Sequence, residues 1–307
     1  MAVTPGKRKR PLDPGEKGPH NSSPSLRAAM TDPGICGSAM PPTRFWTEMS
    51  ALDFRETDMA RMIAVLPVAA VEQHGPHLPV GVDAQIMQGY LDRVVARLPE
   101  DLDVLFLPIQ TVGASREHTG FSGTLSLPPD VAVRAWTALG ESVARSGCRK
   151  LVVLNSHGGN SALLPQIALD LRARLNMLVV TASWSRFGYA DDLFSEEEQA
   201  HGVHAGEIET SLMLAFRPDL VRMHLADDFR PATREMEDEF TWLRADRPIG
   251  FGWMAQDLSA SGAMGNAAAA TAAKGETTAD YGATAFIELL RDVEAFDLAR
   301  LENEPEF

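Results

Sequence analysis

Lys150-Leu151-Val152-Val153-Leu154-Asn155-Ser156-His157-Gly158-Gly159-Asn160 runs from a strongly apolar segment straight into a short polar turn. The apolar part reads as a strand. Residues 162–175 follow with apolar side chains at three- and four-residue spacing, which predicts an amphipathic helix, and 177–183 is a second β-rich run. Strand, turn, helix, strand is the pattern of an α/β fold with a mainly parallel sheet. The alternation extends outward in both directions. Strands are expected at residues 63–71 and 103–112, and helices at 84–98 and 130–146. Beyond Trp184 the chain turns polar through Glu196-Glu197-Glu198 before a helix that begins near Glu207 and stops at Pro218. Residues 224–275 show little periodicity, and 259–273 are rich in Gly and Ala, so a long loop region with short strands is expected there. A closing helix over 278–296 carries Tyr281, Ala285, Ile287, Leu290 and Val293 on one face.

With 307 residues and 45% hydrophobic content, the chain is long enough to bury a sizeable core. The formal net charge of −14 argues against a phosphate-tracking nucleic-acid binder, whose affinity comes from Lys and Arg displacing counterions. Cys36 and Cys148 are far apart and have no neighbouring ligand pair, which argues against a disulfide framework and a thiolate zinc site. No apolar run approaches the ~20 residues a membrane helix needs, so a cytoplasmic protein with no membrane partner is expected. Residues 1–42 carry Lys7-Arg8-Lys9-Arg10 among many Pro, Gly and Ser residues and lack the apolar segment of a secretory signal. They read as a disordered tail, with the basic cluster as a localisation or nucleic-acid patch the alternative, and 43–300 as the domain.

Three polar constellations stand out. The first is Glu72-Gln73-His74-Gly75-Pro76-His77-Leu78-Pro79 with Asp83 shortly after, directly behind a buried strand. Open α/β sheets bind ligands at the carboxyl ends of their strands, and the alternating Glu72 and His74 point the same way if the chain stays extended. The second is the His157 turn quoted above, where Gly158 and Gly159 let the backbone approach a ligand closely and the next helix brings its amides alongside. The third is His204-Ala205-Gly206-Glu207-Ile208-Glu209-Thr210-Ser211 at the opening of a helix. Acids at a helix start complement its dipole, which accounts for Glu207 better than for Glu209. Successive helical residues lie ~100° apart, so only one of the two carboxylates is expected to enter a site.

Together with Gly113-Ala114-Ser115-Arg116-Glu117-His118-Thr119-Gly120-Phe121-Ser122-Gly123-Thr124, these segments resemble, in order, the motif set of the creatininase (creatinine amidohydrolase) superfamily. The resemblance runs from about Trp46 to Phe296. It implies a three-layer α/β/α fold, a homo-oligomer that is usually a hexamer, and two divalent metal ions bridged by one carboxylate. Carried over by position, Asp83 is the bridge, Glu72 and His157 complete one metal site, and His74 binds the other ion. The chain departs from creatininase at Gly158 and Gly159, where a bulky residue and a glutamate stand in the family's namesake. Glu209 is therefore expected to supply the missing ligand, with Glu207 the alternative. His204 and Glu207 are placed as catalytic residues, and Ser115, Glu117, His118 and Trp184 as substrate-binding residues. The segment before His204 lacks a substrate tryptophan, which weighs against creatinine itself. Relatives with the glycine-rich loop resemble formamide hydrolases and a peptide-trimming enzyme of cofactor biosynthesis.

The donor chemistry agrees. Oxygen and imidazole ligands without thiolate suit Zn²⁺ or Mn²⁺, with Fe²⁺ also compatible. Two such ions, ~3.5–4 Å apart, can lower a water's pKa from about 15.7 to about 7, hold the hydroxide between them and polarise the carbonyl of a small-molecule amide. His204 then passes a proton to the leaving nitrogen. A Ser-His-Asp hydrolase is the enzymatic rival, but no Gly-x-Ser-x-Gly elbow is present and Ser156 adjoins His157 in sequence. A non-catalytic metal-binding scaffold is the rival from another class.

Overall fold

In the computed structural model, which describes residues 40–301, the strands β1 (Ile63–Val68), β2 (Val104–Phe106), β3 (Lys150–Asn155) and β4 (Leu178–Ser183) form one parallel sheet. Its order is β2-β1-β3-β4. The expected tail lies outside the described residues except for its last three. Ile63 sits opposite both Val104 and Lys150, and Lys150 opposite Leu178, so the strand starts are in register. Every residue of β1 and β3 is buried, as befits central strands covered on both faces.

Side chains alternate between two cores with the period of a strand. Ile63 and Val65 of β1 and Val152 and Leu154 of β3 pack with Val82, Ile86, Ile208, Leu212, Phe286 and Leu290. These come from α2 (Val82–Arg97), α6 (Glu207–Phe216) and α9 (Ala272–Ala295). Ala64, Leu66, Val68, Leu151 and Val153 point the other way, onto Trp136 and Val143 of α3 (Pro129–Arg145) and Ile167 and Leu171 of α4 (Leu164–Leu175). The result is the three-layer α/β/α arrangement expected from the sequence. A short helix, α1 (Ala51–Glu56), precedes the sheet and is closed by a reciprocal capping pair of Ser50 and Asp53.

Several element boundaries differ from the sequence expectation. Strand β1 ends at Val68 rather than 71, and β2 at Phe106 rather than 112. Pro108 cannot donate to a ladder, so the chain beyond β2 keeps contact with β1 through Leu107 N to Val65 O and Gln110 N to Pro67 O, each at 2.9 Å. Helix α9 starts at Ala272, earlier than the expected 278, because Thr271 caps it and the Ala-rich run favours helix. Gly275 is needed there: a Cβ would overlap the Ser211 carbonyl of α6, which packs directly on α9. The loop region holds the expected short strands, β5 (Asp228–Phe229) and β6 (Gly265–Asn266), paired antiparallel. It also contains α7 (Thr233–Glu239) and α8 (Ala255–Leu258), which the sequence did not predict. Between β4 and α6 lies α5 (Glu196–His201). Among the described residues no helix is long and apolar enough to cross a membrane.

Candidate active site

The segments leaving the carboxyl ends of β1, β2 and β3 converge, and the start of α6 closes the group from the side. Asn160 ties the three strand ends together. Its Oδ1 accepts the Ala114 N–H at 3.0 Å, and its Nδ2 donates to Ala69 O and Asn155 Oδ1, both at 3.1 Å. Asn155 in turn brackets the His157 backbone, donating to its carbonyl at 2.6 Å and accepting its N–H at 3.1 Å. Ser156 Oγ donates to the Asp83 carbonyl at 2.9 Å, joining this turn to α2. Neither asparagine had an assigned role in the sequence reading. Their only signal was being amides at strand ends inside quoted motifs.

Glu72, His74, Asp83 and His157 are all buried, with His74 wholly so. Four overlapping groups of ligand atoms form among the described residues: Glu72 with Asp83 and His157, His74 with Asp83 and Glu209, Glu72 with His74 and His204, and Glu72 with Glu117 and His118; the first two meet at Asp83. The Asp83 Oδ2 lies 3.8 Å from His157 Nδ1 and 4.0 Å from His74 Nε2, while Glu209 Oε2 is 3.7 Å from the same His74 nitrogen. The ring orientations are fixed from behind. His74 Nδ1–H donates to the Glu72 carbonyl at 3.0 Å, and His157 Nε2–H donates to the Ala114 carbonyl at 3.0 Å. Each ring thus turns its other nitrogen toward the carboxylates, the arrangement metal-ligating histidines adopt. Glu72 Oε2, His74 Nε2 and Asp83 Oδ2 are buried with no hydrogen-bond partner. Buried polar atoms are nearly always paired, so three unpaired acceptors facing one another fit a divalent cation.

The electrostatics match this picture. Burial and the nearby Glu72 push the Asp83 carboxyl well above the usual range. Burial would also raise Glu72, but His157, His204 and His118 override it and hold that carboxyl far down. Burial opposes a proton on His157, yet Glu72 at 3.1 Å, with Asp83, drives its imidazole up to about 10. Burial pushes His74 and His204 down to about 4 and His118 to about 3.

A second layer surrounds Glu72 Oε1, which lies 3.5 Å from both His118 Nε2 and His204 Nδ1. Gln73, quoted in the motif but given no role, organises this side. Its Nε2 donates to His118 Nδ1 at 2.8 Å and to Gly262 O at 3.0 Å, and its backbone carbonyl accepts the His204 Nε2–H at 2.6 Å. Ser115 Oγ sits 3.3 Å from His157 Nε2, and Glu117 Oε1 3.6 Å from the same atom. Gly159 makes room for Glu117, since a Cβ there would overlap the Glu117 carboxylate. The loop that lacks its own acid therefore receives one from another segment.

Two residues singled out in the sequence lie elsewhere. Glu207 is buried but pairs with Lys274 of α9 and belongs to no ligand group among the described residues. Trp184 is a core side chain, stacked on Tyr90 with ring centroids 4.0 Å apart and edge-on to Phe286 at 5.3 Å. His77, from the same motif as His74, bonds Thr210 at 2.9 Å and stacks on Phe229.

Fold and site together define a three-layer α/β protein with a buried carboxylate and imidazole centre at the carboxyl end of its sheet. A family model described as creatininase, creatinine amidohydrolase, matches residues 47–290, and the chain belongs to that family. The creatinine amidohydrolase of Pseudomonas putida is 29% identical over 247 residues, covering 75% of this chain and 89% of the relative. The mycofactocin precursor peptide peptidase of Mycolicibacterium smegmatis is 34% identical over 160 residues, or 51% of this chain. That match spans 59% of the peptidase's own length. A solved creatininase described as its Mn form superposes with a TM-score of 0.65 at 26% identity, over 81% of this chain and 98% of its own. A glutamate-to-glutamine variant of creatininase, described as Zn-Zn type, gives 0.66 at the same identity and coverage.

Proposed function

We propose that this chain is a divalent-metal-dependent amidohydrolase that cleaves the C–N bond of a small amide other than an ordinary peptide bond. The observation that carries the reading is the set of unpaired, buried acceptors on Glu72, His74 and Asp83. Glu72, Asp83 and His157 would hold one ion, and His74, Asp83 and Glu209 the other. Such ions, Zn²⁺, Mn²⁺ or Fe²⁺, supply Lewis acidity that makes a water nucleophilic near neutral pH and polarises an amide carbonyl. Asp83, which belongs to both groups, would serve both ions and so set their spacing. His204 keeps Nε2–H bonded to Gln73 O, so its Nδ1, the ring atom turned toward Glu72, is free to take the proton released by the attacking water and deliver it to the leaving nitrogen. Glu117, one-fifth exposed, and His118 face the substrate.

A peptide-trimming or formamide-hydrolysing substrate is the second reading, favoured by the mycofactocin peptidase relative and by the glycine at 159. Cytoplasmic residence, homo-oligomeric assembly as a hexamer and the absence of a nucleic-acid partner complete the proposal, the last supported by the charge of −14. Small formamides, cyclic amides including creatinine, and short peptides should be screened. Hydrolysis of at least one that stops on chelation and returns with Mn²⁺ or Zn²⁺ is expected; activity indifferent to chelation contradicts the reading.

Metal binding should depend on pH with a definite sign. His157 retains its proton below about 10 in the metal-free protein and must release it to bind through Nδ1. Affinity should therefore rise with pH, by about tenfold per unit for each proton released. Calorimetric titration in buffers of different ionisation enthalpy should show proton release near neutral pH. Uptake, or no exchange of protons, would contradict the assignment of His157.

A further inference from the structure

Glu196, Glu197 and Glu198 open α5, whose cap is Ser195 accepting the Glu198 N–H at 3.1 Å. Glu196 and Glu197 stay exposed, as acids that merely complement a helix dipole do. Glu198 turns inward and is only 4% exposed. Its Oε1 accepts the Glu207 N–H at 2.6 Å and its Oε2 the Asn266 N–H at 2.9 Å, while its backbone carbonyl accepts the Gly202 N–H at 2.7 Å. Gly206, the residue before α6, has no side chain with which to cap that helix. Glu198 does so from a separate helix. The backbone closes tightly around the carboxylate. A Cβ on Gly265 would come within 2.8 and 2.9 Å of its two oxygens, and one on Gly202 or Gly206 would overlap it.

The Gly202 and Glu207 anchors bracket His204, and Glu209 stands just beyond them in the first turn of α6. Glu207 lies two residues before Glu209, Gly202 two before His204, and Met264, two before Asn266, donates its N–H to the His204 carbonyl at 2.7 Å. Between the anchors Ala205 has φ of 55°, a left-handed conformation that a residue with a Cβ adopts only where its surroundings hold it. Its N–H donates to Glu209 Oε2 at 2.5 Å. The carboxylate of Glu198 thus sets the path on which His204 Nδ1 and Glu209 Oε2 reach the cluster.

We propose that Glu198 is a positioning residue of the site, holding the 202–209 segment so that His204 and Glu209 face Glu72 and His74. The effect on metal binding rests on the metal-centre reading; the effect on backbone order does not. Glu198→Gln preserves size but sets an NH₂ group against a backbone N–H, so one anchor breaks. Gly206→Ala keeps the carboxylate and pushes it aside. In the full-length chain titrated with Zn²⁺, both variants should weaken the His74–Glu209 position by about 10- to 100-fold, the range for groups that orient a metal ligand, and leave the other ion unaffected. In metal-free protein, amide exchange should accelerate at residues 203–209 and stay unchanged in β1 and β3. Zn²⁺ binding and exchange both equal to the unsubstituted chain would overturn the proposal. So would equal weakening of both ions with faster exchange in β1 and β3, which marks general destabilisation. If the unsubstituted chain takes up no Zn²⁺, the metal reading fails, and exchange at 203–209 alone decides the role of Glu198.

Discussion

Replacing Asp83 by alanine should remove both ions from the protein and lower turnover by about 10³-fold or more. Asp83 stands in the first turn of α2, 2% exposed, and is the one residue common to the two ligand groups that meet at His74 and His157. Glu72 also groups with His74 and His204, but Asp83 alone links the group that holds Glu209 with the group that holds His157. The variant should still fold. The raised carboxyl of Asp83 shows that burial disfavours its charge, so an alanine relieves a desolvation cost rather than leaving a charge unpaired. His204→Ala is the control. It should retain both ions and lose about 10²- to 10⁴-fold in turnover, the usual contribution of a positioned acid or base. Elemental analysis of the two purified variants separates these outcomes. Two ions retained in Asp83→Ala, or equal metal loss in both variants, would show the roles to be misassigned.

The two acids of α6 give the second large effect. Glu209→Gln should cost the ion shared with His74 and lower turnover by about 10²-fold or more, whereas Glu207→Gln should keep both ions. Glu209 Oε2 is 3.7 Å from His74 Nε2 and is steadied by the Ala205 N–H, while Glu207 is committed to Lys274 on the opposite packing partner. Losing that largely buried ion pair should reduce stability by about 1.5–3 kcal/mol and leave the chemistry alone. Metal stoichiometry on each variant, beside its melting temperature, is the test. A Glu207→Gln protein holding one ion, with Glu209→Gln fully loaded, would reverse the assignment.

Much of the architecture was legible because its signals are local. The Leu151–Leu154 run can be satisfied only in a covered strand, and the observed β3 has the expected bounds. The stripe Ile287, Leu290, Val293 of α9 needed a neighbouring layer and found one in the core it shares with β1, β3, α2 and α6, whereas Tyr281, expected on the same face, is exposed. Site membership was legible for Glu72 and His74 because a period of two sends both to one face, and both are buried in the cluster. What stayed hidden depends on contacts distant in sequence. Nothing local tells Glu207 that Lys274 lies 67 positions on and will claim it, or tells Glu198 that it will cap another helix. Trp184 looked like a substrate residue by position, but Tyr90 and Phe286 arrive from helices elsewhere and take it into the core. Gly159 read as a missing ligand. Its packing shows it as the space into which Glu117 fits, a relation between loops 42 residues apart, counting from 117 to 159.

The central claim is that Asp83 is shared between two cation positions, one on the Glu72–His157 side and one on the His74–Glu209 side. Anomalous diffraction from crystals of the full chain grown with Zn²⁺, collected above and below the zinc absorption edge, tests it directly. Two peaks are predicted, one on each side of the Asp83 carboxylate, within bonding distance of His157 Nδ1 and His74 Nε2 respectively. A single peak, or peaks that leave Asp83 outside the coordination of either ion, would contradict it.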